Sequence, residues 1–159
     1  MKFAIGSDHG GFDLKQIIKD ELRRRRIDFE DVGSHDRESV DYPDYAREVA
    51  DRVSAGSADQ GILICKTGIG MSMTANRFPR VRAALCLSTD LARTARTHNN
   101  ANVLVLAGSK TSKGEALEIL AAWLDNAFPE VDRHRRRVQK IDAYGWQVAQ
   151  TEALCVEDA

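Results

Sequence analysis

What the chain lacks narrows it before any motif does. Cysteine is scarce: Cys65, Cys86 and Cys155 are odd in number and widely spaced, which fits neither a disulfide framework nor a zinc pattern and favours a reducing compartment, the cytoplasm. Nowhere do apolar residues run to the ~18 that a membrane span needs. MKFAIGSDHGG offers only a short apolar run before charge intervenes, unlike a secretory signal. Neither sign of charge dominates, since 23 Lys and Arg against 24 Asp and Glu leave a formal net charge of -1. That balance gives no general attraction to nucleic acid or to anionic membrane. No internal repeat or low-complexity linker divides the 159 residues, so they suit one domain. Residues 1–145 are expected to form it, with 146–159 as a tail.

What is present is five short apolar runs: KFAIG at 2–6, IDFEDVG at 27–33, GILIC at 61–65, VRAALCL at 81–87 and NVLVLAG at 102–108. Between them, apolar residues recur at three- and four-residue intervals, as on one face of a helix. Leu14, Ile17, Ile18 and Leu22 do so first, then Ala46, Val49, Ala50 and Val53, then Leu117, Leu120, Ala121 and Leu124. Alternating strand and helix implies an α/β domain around a parallel sheet. The near-continuous apolar character of GILIC and NVLVLA fits strands covered on both faces. The stretch from RHRRRVQKI onward reads as a C-terminal helix and then a tail of fading periodicity.

Ligands of open α/β sheets bind at the carboxyl ends of strands. Three places there carry unusual chemistry: Ser7-Asp8-His9-Gly10-Gly11 after the first strand, Cys65-Lys66-Thr67-Gly68 at the end of the third, and the fifth strand with His98-Asn99-Asn100 before it and Gly108-Ser109-Lys110 after it. They are expected to converge on one sheet edge.

Gly68 and Gly70 open backbone conformations closed to other residues, so successive amides can turn inward as an anion nest. A helix starting near Ile69 adds the positive end of its dipole. The structural alternative is an ordinary tight turn; the order of a Walker loop is absent. A lone cysteine after ILI, as at Cys65, is more often a small buried hydrophobe. Its functional reading is electrostatic: a sulfur between a helix N-terminus and Lys66 sits in positive potential, where a thiolate serves as nucleophile or proton acceptor. A phosphatase-type loop needs arginine six positions after the cysteine, and Met71 stands there. Asp8 could cap a helix and His9 lie on the surface, while His98 could satisfy carbonyls at a helix end. Arg133 and Arg137, four apart in a basic run, share a helix face and suit phosphate oxygens.

Taken together, SDHGGFDLK, SVDYPDYA, GILICKTGIGMS, ANRFPRVRAALC, RTHNNANVLVL and RHRRRVQKI resemble the type B ribose-5-phosphate isomerases and their galactose-6-phosphate isomerase relatives, over residues 3 to about 142. The resemblance implies a Rossmann-like αβα sandwich with a five-stranded parallel sheet and a C-terminal helix. It implies a homodimer or dimer of dimers with shared active sites, and a sugar-phosphate aldose–ketose isomerisation using no metal or other cofactor. Carried onto this chain, Cys65 is the base, and Thr67, Asp8 and His98 open the sugar ring. Gly68, Ile69, Gly70, Met71 and Ser72 form the anion hole; His9, Arg133 and Arg137 hold phosphate; Tyr42 and Asn99 line the sugar. The chain departs from the pattern at Lys66, where glycine is usual, at Ser109, where arginine is common, and in PEVD before Arg133.

Overall fold

Strands as apolar as QGILIC and VLVLA cannot face water, and each is returned to the sheet by a helix that covers it. The computed structural model describes residues 1–129 and 131–157, with side chains through residue 144. Its strands are β1 (Lys2–Ser7), β2 (Asp28–Gly33), β3 (Gln60–Cys65), β4 (Ala83–Leu85) and β5 (Val103–Ala107). They form one five-stranded sheet in the order β2-β1-β3-β5-β4, every pairing parallel. The helices are α1 (Phe12–Arg24), α2 (Tyr42–Ala55), α3 (Ile69–Ala75), α4 (Thr89–Asn99), α5 (Lys113–Leu124) and α6 (Asp132–Glu157), with a 3-10 turn at His9–Gly11. This is the expected Rossmann-like sandwich.

The local sequence explains the helix starts. Pro43 stands in the first turn of α2, where its missing N–H costs nothing. Ser112 and Glu115 cap α5 reciprocally, each side chain bonded to the other's backbone. Two apolar layers follow from strand alternation. Phe3, Ile5, Ile62, Ile64, Leu104 and Leu106 meet α1, α4 and α5 on one face. Ala4, Leu63, Cys65, Val103 and Val105 meet α2 and α3 on the other. Burial of each large aliphatic side chain contributes about 1.5–3 kcal/mol. Within the first layer the Trp123 indole donates to Gln60 Oε1 at 2.6 Å, so its buried N–H is satisfied.

Two expectations shift at the ends. The fourth run, 81–87, forms a strand only over Ala83–Leu85, an edge strand that pairs with β5 alone. At the C-terminus, α6 continues to Glu157, past the point where apolar periodicity fades. Periodicity records which face is packed, whereas backbone hydrogen bonding can continue without it. The Cys155 side chain, expected in the tail, lies outside the described residues. Among the described residues no helix is long and apolar enough to cross a membrane.

Candidate active site

From β1 the chain moves outward to β2 and then returns to the other side of β1 as β3, so strand order reverses between β1 and β3. The carboxyl ends of strands at such a reversal are the usual ligand position in open α/β sheets. Backbone bonds knit three strand ends together there. The Asp8 amide donates to Ile64 O at 3.2 Å, Gly108 N to Cys65 O at 2.8 Å and Ser109 N to Lys66 O at 3.0 Å. The Ser109 hydroxyl adds a second bond to Lys66 O, at 2.6 Å.

Cys65 closes β3 and is 4% exposed. The side chain belongs to the apolar layer beneath α2 and α3, and its sulfur accepts the Gly68 amide at 3.1 Å. Gly68 has φ 77°, the left-handed region that turns the chain straight from strand into α3. Gly70 is held for a different reason. A Cβ there would collide with the Tyr42 ring, which lies over the turn. The amides of Gly70 and Met71 fall in the first turn of α3, where a helix supplies no acceptor of its own. Thr67 is exposed, and its Oγ1 accepts the Ile69 amide at 3.4 Å. Tyr42, Cys65, Thr67 and residues 68–72 are therefore brought together as expected.

Asp8 does cap, accepting the Gly11 amide at 2.9 Å, and is 6% exposed. His9 is exposed beside it, its Nδ1 accepting the Val40 amide at 3.2 Å. The loop that brings Val40 there is anchored by a residue the apolar pattern did not single out. Lys15, fully buried on α1, donates to Asp31 Oδ1 at 2.7 Å and to Ser34 O at 2.6 Å. Lys19 reaches the other oxygen of Asp31 at 2.5 Å. Burial lowers the Lys15 ammonium from its ordinary value, with Asp31 opposing that shift.

His98 corrects the expected convergence. It lies near the end of α4, just before β5. Since β5 runs parallel to β3, whatever precedes it enters at the amino edge of the sheet, opposite Cys65. Strands of five and six residues, at about 3.3 Å each, put roughly 15–20 Å between the two edges. His98 stands there with α6. Its ring stacks on that of His134, centroids 4.4 Å apart and planes 10° from parallel. Arg133 and Arg137 are exposed on the same helix, and Asn99 lines a small groove with Asn76, Arg82 and Ile141. A larger groove of about 460 Å³ adjoins it, between residues 76–81 and Ile141, Asp142 and Tyr144 of α6. An Arg82–Asp142 ion pair at 2.7 Å ties the helix down. The described residues thus hold two groups of site candidates, one at each edge.

The defining pattern of the Ribose/Galactose Isomerase family matches residues 3–141. The chain belongs to that family. Ribose-5-phosphate isomerase B of Escherichia coli is 42% identical over 142 residues, covering 89% of this chain and 95% of that protein. A Rickettsia bellii protein bearing only the provisional, broader name of sugar phosphate isomerase is 43% identical over 139 residues, 87% of this chain and 96% of its own. Among solved structures, ribose-5-phosphate isomerase B of Mycoplasma genitalium, with bound ribulose-5-phosphate, superposes with a TM-score of 0.86 at 42% identity, covering 90% of this chain and 95% of that one.

In this isomerase, sequence reasoning passed over His134 and Lys15. His134 was hidden within a basic run, although the spacing of His134, Val138 and Ile141 is that of a packing stripe; the first two are buried. Lys15 sits one residue from Leu14 and three from Ile18, inside the buried arc of α1. Among the described residues no group of three His, Cys, Asp or Glu is placed to hold a metal ion.

Proposed function

We propose that this isomerase interconverts ribose 5-phosphate and ribulose 5-phosphate in the cytoplasm, in a site completed by a second copy of the chain. The observation that carries the reading is the Cys65 sulfur, bonded to the Gly68 amide under a turn whose next amides lack helical acceptors. Aldose–ketose isomerisation removes the proton from C2, passes through an enediolate, and returns a proton to C1. It needs a base and donors for the emerging oxyanion, and the thiolate and the amides of residues 68–72 supply them. Thr67, Asp8 and His98 open the furanose ring, His9, Arg133 and Arg137 clamp the phosphate, and Tyr42 and Asn99 line the sugar between. A remote phosphate clamp positions the reacting carbons.

His98, Asn99, Arg133 and Arg137 stand at the amino edge, away from the sulfur of their own protomer. The reading therefore assigns them to the site of a partner in a homodimer or dimer of dimers. Exposed Ile69, Met73 and Tyr42 around one half-site, and Ile141 and Tyr144 near the other, supply apolar surface for that docking. Residues 1–145 carry the isomerase unit on this reading, and 146–159 extend beyond it.

A six-carbon sugar phosphate, allose or galactose 6-phosphate, is the second reading. Ser109 and Lys66 favour it, since they replace the family's usual groups at the carboxyl edge. Ranking phosphorylated aldoses by kcat/KM in the presence of EDTA separates the two, and ribose 5-phosphate is expected to rank first with full activity. A preference for a hexose phosphate would move the substrate to six carbons, and loss of activity restored by added metal would overturn the cofactor-free mechanism. Binding without solvent-proton exchange at C2 would reduce the protein to a sugar-phosphate-binding module.

A further inference from the structure

His134 is the most unusual titratable group outside the proposed chemistry. Histidine on an arginine-rich helix would ordinarily face water, yet this one is 6% exposed, one turn before buried Val138. Its two neighbours are both residues to which the proposed function gives work. The His98 ring lies parallel to it at 4.4 Å. Arg133, the adjacent residue, donates its Nε–H to His134 Nε2 at 3.3 Å. An imidazole nitrogen that accepts carries no proton, so the ring is neutral with its hydrogen on Nδ1. Burial first, and then the neighbouring His98, Arg133 and Arg137, lower His134 from its ordinary value, in agreement with that tautomer.

The geometry points to His134 as a positioning residue that fixes His98 and Arg133 relative to each other, one by its ring face and the other by its ring edge. Fixing Arg133 at Nε uses neither of the two terminal nitrogens of its guanidinium, the pair that a phosphate fork needs. Fixing His98 by a flat face leaves both its nitrogens at the rim, free for proton transfer. A proton-transfer group and a phosphate ligand thereby approach the same substrate as one rigid unit. The inference rests on the functional reading for what the two residues do, though not for how they are held.

Two substitutions separate the face from the edge. His134→Phe keeps an aromatic face and removes the acceptor, so KM for ribose 5-phosphate is expected to rise about tenfold with kcat within about threefold of wild type. His134→Asn keeps an acceptor and removes the face, so kcat is expected to fall about tenfold with KM within about twofold. Thermal melting shows whether each variant folds. Folded variants with both parameters intact, or with the same loss in kcat and KM for both substitutions, would overturn the assignment. NMR of the histidine rings and arginine Nε–H groups of the full-length protein gives a readout independent of turnover. His98 signals should move in His134→Asn, and the Arg133 Nε–H signal in His134→Phe; unmoved signals in folded variants would also overturn it. Wild-type protein inactive on every sugar phosphate would sink the functional reading and leave these signals to decide the positioning role.

Discussion

The two edges of the sheet are built by opposite means. At the carboxyl edge, main chain does most of the work: amides and carbonyls from β1, β3 and β5 interlock, and a left-handed glycine places the Gly68 N–H on the Cys65 sulfur. At the amino edge, side chains do it: two stacked imidazoles, an arginine donating into one of them, and an Arg82–Asp142 pair anchoring the helix. Backbone frameworks fix where an oxyanion can form. Side chains on a helix supply mobile protons and fixed positive charge. The proposed reaction needs both, and a single protomer keeps them a sheet's length apart.

Substitutions should therefore fail differently at the two edges. The largest effect is expected at the carboxyl edge. Cys65→Ala removes the proposed base and should lower kcat about 10²–10⁴-fold, the range for loss of a positioned acid–base group. Steady-state turnover checks this, and near-normal kcat would free the sulfur for a packing role alone.

Next comes the support of that edge. Asp31 is raised by its own burial, but hydrogen bonds from Lys15, Lys19 and the Gly33 amide outweigh this and hold it below the ordinary carboxylate range. A carboxyl more acidic folded than unfolded contributes stability above its unfolded value, near pH 4, and that contribution is lost as pH falls through the folded value. Asp31→Asn should cost about 3 kcal/mol at neutral pH, because Lys15 is left buried without its carboxylate. The acid-side decline below about pH 4 should also be shallower than in wild type. Urea unfolding at neutral and acid pH measures both.

The smallest effect is expected at Arg137, an exposed residue of the amino edge. Arg137→Ala removes one of the three proposed phosphate ligands and should raise KM about tenfold with kcat little changed. A fall in kcat at constant KM would instead place Arg137 beside the reacting carbons.

The sheet was readable because buried parallel strands write themselves as unbroken apolar runs, and GILIC and NVLVLA are such runs. The glycine turn was readable because Gly68 and Gly70 follow a strand directly. The division of the site candidates into two groups was present in the sequence too, since a residue that precedes a parallel strand must lie at its amino end. Linear proximity of His98 to NVLVLA obscured this, for motif order does not record which end of a strand a residue flanks. His134 and Lys15 were harder, because buried polar groups depend on partners from distant segments: α4 for the first, β2 and its following loop for the second.

The composite site is tested most directly by mixing two inactive proteins. Cys65→Ala and His98→Asn variants, each folded and each nearly inactive, are unfolded together, refolded at equal concentration and assayed with ribose 5-phosphate. If each site takes its sulfur from one copy and His98 from the other, half of the dimers are mixed and each holds one intact site. Activity should then return to about a quarter of the wild-type level. Mixed dimers that form, as native mass spectrometry would show, and yet stay inactive would place both residues in one protomer's site and contradict the account.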